Sequence, residues 1–365
     1  MTCAKAALFQ GPHQPFEIRS YPVAKPPRGM VSLDLIASGV CGTDIHIHEG
    51  RLAAAHPSII GHEFVGRVRD IHPEDAEACG IRTGDAAIVD IACPCGECAL
   101  CLSGDDANCL HMGVTNAGDP EQAPHLWGGY AELTYAPVQN LIRIPEGLDP
   151  KTVCVYACAG PTAIHAFELG RQANCEIEKA RVAVVQGLGP VGTFAVAYLA
   201  ALGIPHVIAI TAGHNPQRES LARKLGAAEV FNLESQNAET IVQEIAARND
   251  GMGADLVFEA SGSRNAVPQG LGLLRNRGTY LIPGQYSNSG GIEIEPQLIT
   301  FRALRLIGSS QYSLRDVGLY LQFLQSHASL WPVIDALITA YPVNKINEAF
   351  ADIKAGKNIK TVLVP

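Results

Sequence analysis

Arg181-Val182-Ala183-Val184-Val185-Gln186-Gly187-Leu188-Gly189-Pro190-Val191-Gly192 decides how the middle of this chain folds. Its first half reads as a short apolar strand, its second half carries the spacing G-x-G-x-x-G, and Thr193 to Leu202 continues as a helical stretch. Alone, that glycine spacing says little. Placed between a strand and a helix it is a dinucleotide-binding fingerprint, with the pyrophosphate seated on free N–H groups at the helix start. Gly187, Gly189, Pro190, Val191 and Gly192 are therefore candidate cofactor contacts.

Downstream, strands and helices alternate. Strands are expected at Val207–Thr211, Glu229–Asn232, Asp255–Glu259 and Gly278–Pro283, and helices at Gln217–Leu225, Ala238–Arg248 and Asn265–Leu274. That order reads as an α/β unit with a doubly wound parallel sheet. Upstream, residues 1 to about 40 read as short strands broken by prolines, and Val31–Ala37, Phe64–Arg69 and Ala86–Ile91 continue a turn-rich β unit. After about residue 300 the pattern breaks. Leu304–Gly308 and Lys360–Val364 read as strands and Leu314–Leu324 and Lys345–Ile353 as helices, in a tail that returns to the first domain. A chain of 365 residues is long enough for two cores. The expected division is residues 1–157 with 300–365, and residues 158–299.

Chemistry gathers in Val40-Cys41-Gly42-Thr43-Asp44-Ile45-His46 and Gly61-His62-Glu63. Zinc prefers thiolate and neutral imidazole, and a catalytic zinc keeps one position open, so Cys41 and His62 are candidate ligands. Asp44 suits the carboxylate that a ligating histidine usually engages through its other ring nitrogen. Thr43 and His46 read as a proton path away from the metal. Pro161 marks a helix start just after Cys158, and a cysteine there has a depressed pKa, so Cys158 completes the set with Cys154 as runner-up. Eleven cysteines are many for a chain without secretory features, and they cluster. Cys95, Cys98 and Cys101 stand at steps of three, with Cys109 eight positions on, a spacing that closes a tetrahedral thiolate cage in a lobe of about residues 93–110. An iron–sulfur cluster would call for a different cysteine ending. Cys93 falls outside the spacing.

An apolar fraction of 47% with 17% charged residues suits a folded globular protein, and a formal charge of −9 argues against nucleic acid or an anionic membrane as partner. The first dozen residues hold no signal peptide, and the uncharged run Val182–Pro205 is interrupted by glycines in the fingerprint pattern, so a cytoplasmic protein without a membrane span is expected.

On these motifs, in this order and spacing, the chain resembles the zinc-dependent alcohol dehydrogenases of the medium-chain dehydrogenase/reductase superfamily, over nearly its whole length. The resemblance implies a GroES-like, β-rich catalytic domain interrupted by a Rossmann domain. It implies that Cys41, His62 and Cys158 hold a catalytic zinc with Glu63 as a reserve carboxylate, and that Cys95, Cys98, Cys101 and Cys109 hold a structural zinc. Thr43 would take the proton of an alcohol and His46 would pass it on, while a hydride moves between the alcohol, or its aldehyde or ketone, and NAD(P). Homodimers or homotetramers built by joining Rossmann sheets edge to edge are implied as well.

Three features depart from the family. The second strand of the Rossmann unit ends Thr211-Ala212-Gly213-His214-Asn215, without the usual acid that binds the ribose of NAD. Thr211 is then a neutral contact and Arg218 a partner for a 2′-phosphate, which tilts the choice toward NADP. His72–Ile81 is longer and more acidic than the usual turn. Polyol and threonine dehydrogenases often carry glutamate at the position of Cys158, so the cysteine points to the alcohol or aldehyde branch. A non-catalytic nucleotide- or redox-sensing relative would be expected to lose Thr43, His46 or a ligand, and a zinc-free quinone reductase would lack the cysteine lobe. The pocket mouth is expected near Arg51–His56 and His125-Leu126-Trp127, with large aromatics there more often packing than contacting substrate. His48 is expected in solvent, and His165 in the core.

Overall fold

Local pattern builds two large sheets and two two-stranded ones here, and the computed structural model describes them for residues 2–213 and 215–365. In chain order, β1 (Cys3–Leu8) and β2 (Glu17–Pro22) pair antiparallel, followed by the antiparallel run β3 (Met30–Gly39), β4 (Glu63–Ile71) and β5 (Ala86–Val89). The short strands β6 (Ala92–Cys93) and β7 (Gly113–Val114) flank the cysteine-rich segment. β8 (Leu133–Pro137) and β9 (Leu141–Arg143) then return to β3 and β5.

The parallel sheet comes next, with β10 (Val182–Gln186), β11 (His206–Thr211), β12 (Glu229–Asn232), β13 (Ala254–Glu259), β14 (Leu274–Ile282) and β15 (Arg305–Gly308). Its six strands run in the order β12-β11-β10-β13-β14-β15. Every residue of β10 is buried, as a central parallel strand covered on both faces requires. β16 (Ile338–Pro342) and β17 (Lys360–Val364) close the first sheet, β17 pairing antiparallel with β3 through Val362 and Gly39.

The chain divides into two units, one comprising residues to Cys158 together with Tyr312–Pro365, the other Ala159–Gln311. The second boundary lies past the expected 299/300 because β15 adds itself to the parallel sheet beside β14. In that sheet the strand order reverses between β10 and β13. Ligands of doubly wound sheets sit outside the carboxyl ends of the strands at such a point. The first unit is built around the apolar faces of β1, β3, β4 and β8, with Leu33, Phe64, Tyr130 and Tyr135 buried.

One expectation changes. His72–Ile81 contains a helix, Pro73–Cys79, rather than a turn. Pro73 opens it, Glu74 and Asp75 occupy its first turn, and Gly80 ends it at φ +68. The run Val182–Pro205 resolves into β10, the glycine turn and the helix Pro190–Ala201. Among the described residues no helix is long and apolar enough to cross a membrane.

Candidate metal centre

Cys41 caps the helix Gly42–His48, and the third residue of that helix, Asp44, reaches back so that the Cys41 N–H donates to its Oδ2 at 2.9 Å. The same oxygen accepts the Tyr130 hydroxyl at 2.6 Å, and Asp44 Oδ1 lies 3.2 Å from His62 Nδ1. One fully buried carboxylate thus fixes the cysteine's backbone and leaves His62 Nε2 to face the two thiols. Gly61 has φ +101, and a side chain there would run into the Tyr130 ring at 2.5 Å, so glycine before His62 is a requirement of this packing.

Cys158 joins from the far end of the first unit. One ligand atom each from Cys41, His62 and Cys158 lies within 4.8 Å of the others, and the two sulfurs are 4.0 Å apart. Sulfurs held tetrahedrally at ~2.3 Å from one zinc would stand about 3.8 Å apart, so the donor set fits the ion and leaves a position open. The hydrogen bond shared with the Cys158 thiol, then the charge of His62, hold Cys41 well below the ordinary thiol range against burial. For His62 burial alone would favour the neutral ring, but Asp44 and Cys41 reverse this and raise its pKa. Cys154, the runner-up, is excluded. Its thiol donates to the Glu63 carbonyl at 3.4 Å, and burial pushes it up to about 12.

Glu63, expected as a reserve carboxylate, is not one of the three clustered donors: its carboxylate pairs with Lys360 of β17, while its charge still acts on Cys41 and His62. Both groups are almost wholly buried. Burial pushes Glu63 up to about 7, opposed by the Lys360 charge. Lys360 would be lowered by burial, but Glu63 and Cys41 keep its ammonium charged. A side chain at Gly39 would overlap the Glu63 carboxylate.

Of the remaining candidates, Thr43 Oγ1 lies 3.7 Å from Cys41 Sγ. Burial, helped by the Arg51 charge, lowers the pKa of His46 and favours its neutral ring. His48 is buried rather than solvated, its Nε2 lying 3.0 Å from the Gln14 carbonyl and its ring stacked on Phe16. Leu126 is a core residue, and Trp127 packs where a side chain at Gly118 would otherwise go. His165 is buried on the helix Ala159–Gln172.

The cysteine lobe brings Cys95, Cys98, Cys101 and Cys109 together. Their closest sulfur separations are 3.5 Å (98–101) and 4.0 Å (95–101 and 98–109), again the edge lengths of a tetrahedron around zinc. Backbone N–H groups of Cys95 and His111 point at Cys109 Sγ at 3.2 and 3.3 Å. N–H donors of this kind, from Cys101 and Leu110, hold Cys98 down to about 6. Cys93 stays outside, its thiol donating to Asn140 Oδ1 at 3.6 Å.

In the second unit, Gly187 has φ +92, and a side chain there would meet Ser261 Cα at 2.6 Å. A Cβ at Gly192 would overlap the Gly187 carbonyl, and no side chain caps the helix that Gly189 precedes. This cradle suits a pyrophosphate. Thr211 ends β11, buried. Arg218 Nη1 donates to the Leu188 carbonyl at 2.9 Å, which places its guanidinium at the glycine turn. His214 lies outside the described residues. Sequence reasoning missed Tyr130, Lys360 and Glu259. Only Lys360 left a sign, as a lone cation opening an apolar strand.

The family model described as "Alcohol dehydrogenase GroES-like domain" matches residues 27–146, and "Zinc-binding dehydrogenase" matches residues 190–326. The chain is 29% identical over 371 residues to 5-exo-hydroxycamphor dehydrogenase of Pseudomonas putida, covering 100% of this chain and 99% of that one. It is 30% identical over 295 residues to erythritol/L-threitol dehydrogenase of Mycolicibacterium smegmatis, covering 78% and 77%. The crystal structure of an alcohol dehydrogenase from Thermotoga maritima superposes with a TM-score of 0.90 at 26% identity, covering 100% of both chains. With the fold, the donor sets and these relatives together, the chain belongs to the zinc-dependent alcohol dehydrogenase family of the medium-chain dehydrogenase/reductase superfamily, oxidoreductases that move a hydride between an alcohol or its carbonyl counterpart and a nicotinamide cofactor.

Proposed function

We propose that Cys41, His62 and Cys158 hold the reactive zinc, that the four lobe cysteines hold a second, structural zinc, and that the substrate is a small alcohol or carbonyl compound. The convergence of Cys41, His62 and Cys158 from three separated stretches carries this reading. Bound there, zinc would supply a Lewis acid for the substrate oxygen, and the nicotinamide would accept or return the hydride. The chain's own part is to orient and to move a proton. Asp44 and Tyr130 fix the imidazole and the helix start, Thr43 Oγ1 takes the alcohol proton, and the neutral ring of His46 receives it in turn.

For the cofactor, β11 ends at Thr211 and the chain continues Ala212-Gly213 without an acid, and Arg218 stands at the glycine turn, which supports NADP over NAD. The relatives' names include a hydroxycamphor dehydrogenase and an erythritol/L-threitol dehydrogenase, and cysteine rather than glutamate at position 158 favours the alcohol or aldehyde branch over the polyol one. The chain is proposed to work in the cytoplasm as a homodimer or homotetramer.

The test joins metal analysis to a panel of cyclic and open-chain alcohols and ketones, followed at the nicotinamide absorbance with each cofactor. Two zinc ions per chain are expected, one of them lost in Cys41→Ser with all turnover. Thr43→Val should lower kcat by roughly a hundredfold with both metals retained. One zinc in the parent chain, unaffected by Cys41→Ser, would overturn the proposal, and a strong NADH preference would overturn the cofactor choice.

A further inference from the structure

Glu259 ends β13 with its side chain fully buried, and among the described residues no cation pairs with it. A carboxylate so placed must be held by hydrogen-bond donors. Its Oε1 accepts the Ser261 N–H at 2.7 Å, the Ser261 hydroxyl at 2.6 Å and the Gly262 N–H at 3.0 Å. Its Oε2 accepts from Gln285 Nε2 at 3.1 Å, and its backbone carbonyl accepts the Gly284 N–H at 3.0 Å. One residue therefore ties together the loop after β13 and the loop after β14. The first of these loops presses on the fingerprint itself, where Gly187 leaves room only for Ser261. The Ala260 N–H donates to the Gln186 carbonyl at 2.8 Å, which locks the same corner to the end of β10.

A dinucleotide lies across such a sheet in two halves, one over the strands on each side of the reversal. The glycine turn and Thr211 serve the adenosine side with β10 and β11, so the ends of β13 and β14 border the nicotinamide side. We propose that Glu259 is a positioning residue for the nicotinamide half of the cofactor, holding Ser261-Gly262 and Gly284-Gln285 as one rigid rim. This rests on the dinucleotide reading above. Glutamine in its place keeps the size but exchanges one acceptor oxygen for a donor, which the Gln285 amide can meet only by turning over and giving up its bonds to the Ser263 carbonyl and the Ser289 hydroxyl.

The test measures affinity for NADPH and NADH by fluorescence, and for ADP-ribose, which lacks the nicotinamide, by competition. Glu259→Gln should weaken the dinucleotides by about tenfold or more, about 1.4 kcal/mol, with ADP-ribose changed less than about threefold. Glu259→Asp, which restores the charge, should recover part of the loss. Gln285→Ala cuts only the second loop and should show the same selective loss to a smaller degree, so it serves if Glu259→Gln fails to fold. Equal weakening of dinucleotide and ADP-ribose, or no weakening of either, in the folded variants would overturn the proposal. A parent chain that binds none of the three would instead overturn the dinucleotide reading.

Discussion

Asp90 is 2% exposed, and burial pushes its carboxyl up to about 7 against a single N–H from Ala92 at 3.0 Å, with the charges of Asp106 and Asp316 adding to the shift. Because the folded pKa is raised above the unfolded one, the folded state binds the extra proton, and stability falls as pH rises from about 4 through about 7. Asp90→Asn keeps the acceptor for Ala92 and removes the titration. Denaturant unfolding at intervals across that range should show the parent losing up to about 4 kcal/mol relative to the variant, and parallel curves would refute it. At this scale the sequence is most readable where chemistry restricts residue type. Few side chains other than cysteine and histidine suit zinc, so Cys41, His62 and the lobe cysteines stand out by identity and spacing. Tyr130 and Glu259 do not. Each acts through a partner distant in the sequence, Asp44 for one and Gln285 for the other, and no local pattern links them.

Strands and helices of the parallel unit were legible to within a few residues, since each pairs an apolar run with a turn signal. Glu229–Asn232 in that unit, and Lys360–Val364 in the first, fall where the pattern places them. The helix Pro73–Cys79 was not legible, because it buries no residue and so has no apolar stripe to betray it. What β17 contributes was hidden too. Lys360 anchors its first residue beneath the metal centre through Glu63, with a further contact to the Val40 carbonyl at 3.5 Å. Breaking one side of a buried ion pair leaves the other charge uncompensated, which costs far more than the intact pair contributes. Lys360→Met should therefore destabilise the zinc-loaded protein by about 3–5 kcal/mol in denaturant unfolding. Adding Glu63→Gln to it should restore much of that loss. If the double variant is no better than the single one, the damage comes from lost packing along β17 and not from the stranded carboxylate.

The parallel sheet ends on an edge that no stretch of sequence announces. β15 pairs with β14 on one side, and no strand among the described residues pairs on its other side. Open strand edges are sites of association unless covered or charged. Leu306 on this edge is 37% exposed and Phe301, just before it, is 82% exposed, an apolar border on a chain of net charge −9. A second copy presenting the same edge around a two-fold axis would pair strand with strand and cover both residues. Sedimentation equilibrium should return at least twice the chain mass. Leu306→Lys puts two like charges face to face across the axis and Phe301→Ser removes the apolar cover, so together they should shift the protein toward monomer. Neither residue belongs to the metal centre or the glycine turn, so both zinc ions should stay bound in the monomer. A parent chain that sediments as a monomer, or a double variant that associates as before, would rule out this edge as the interface.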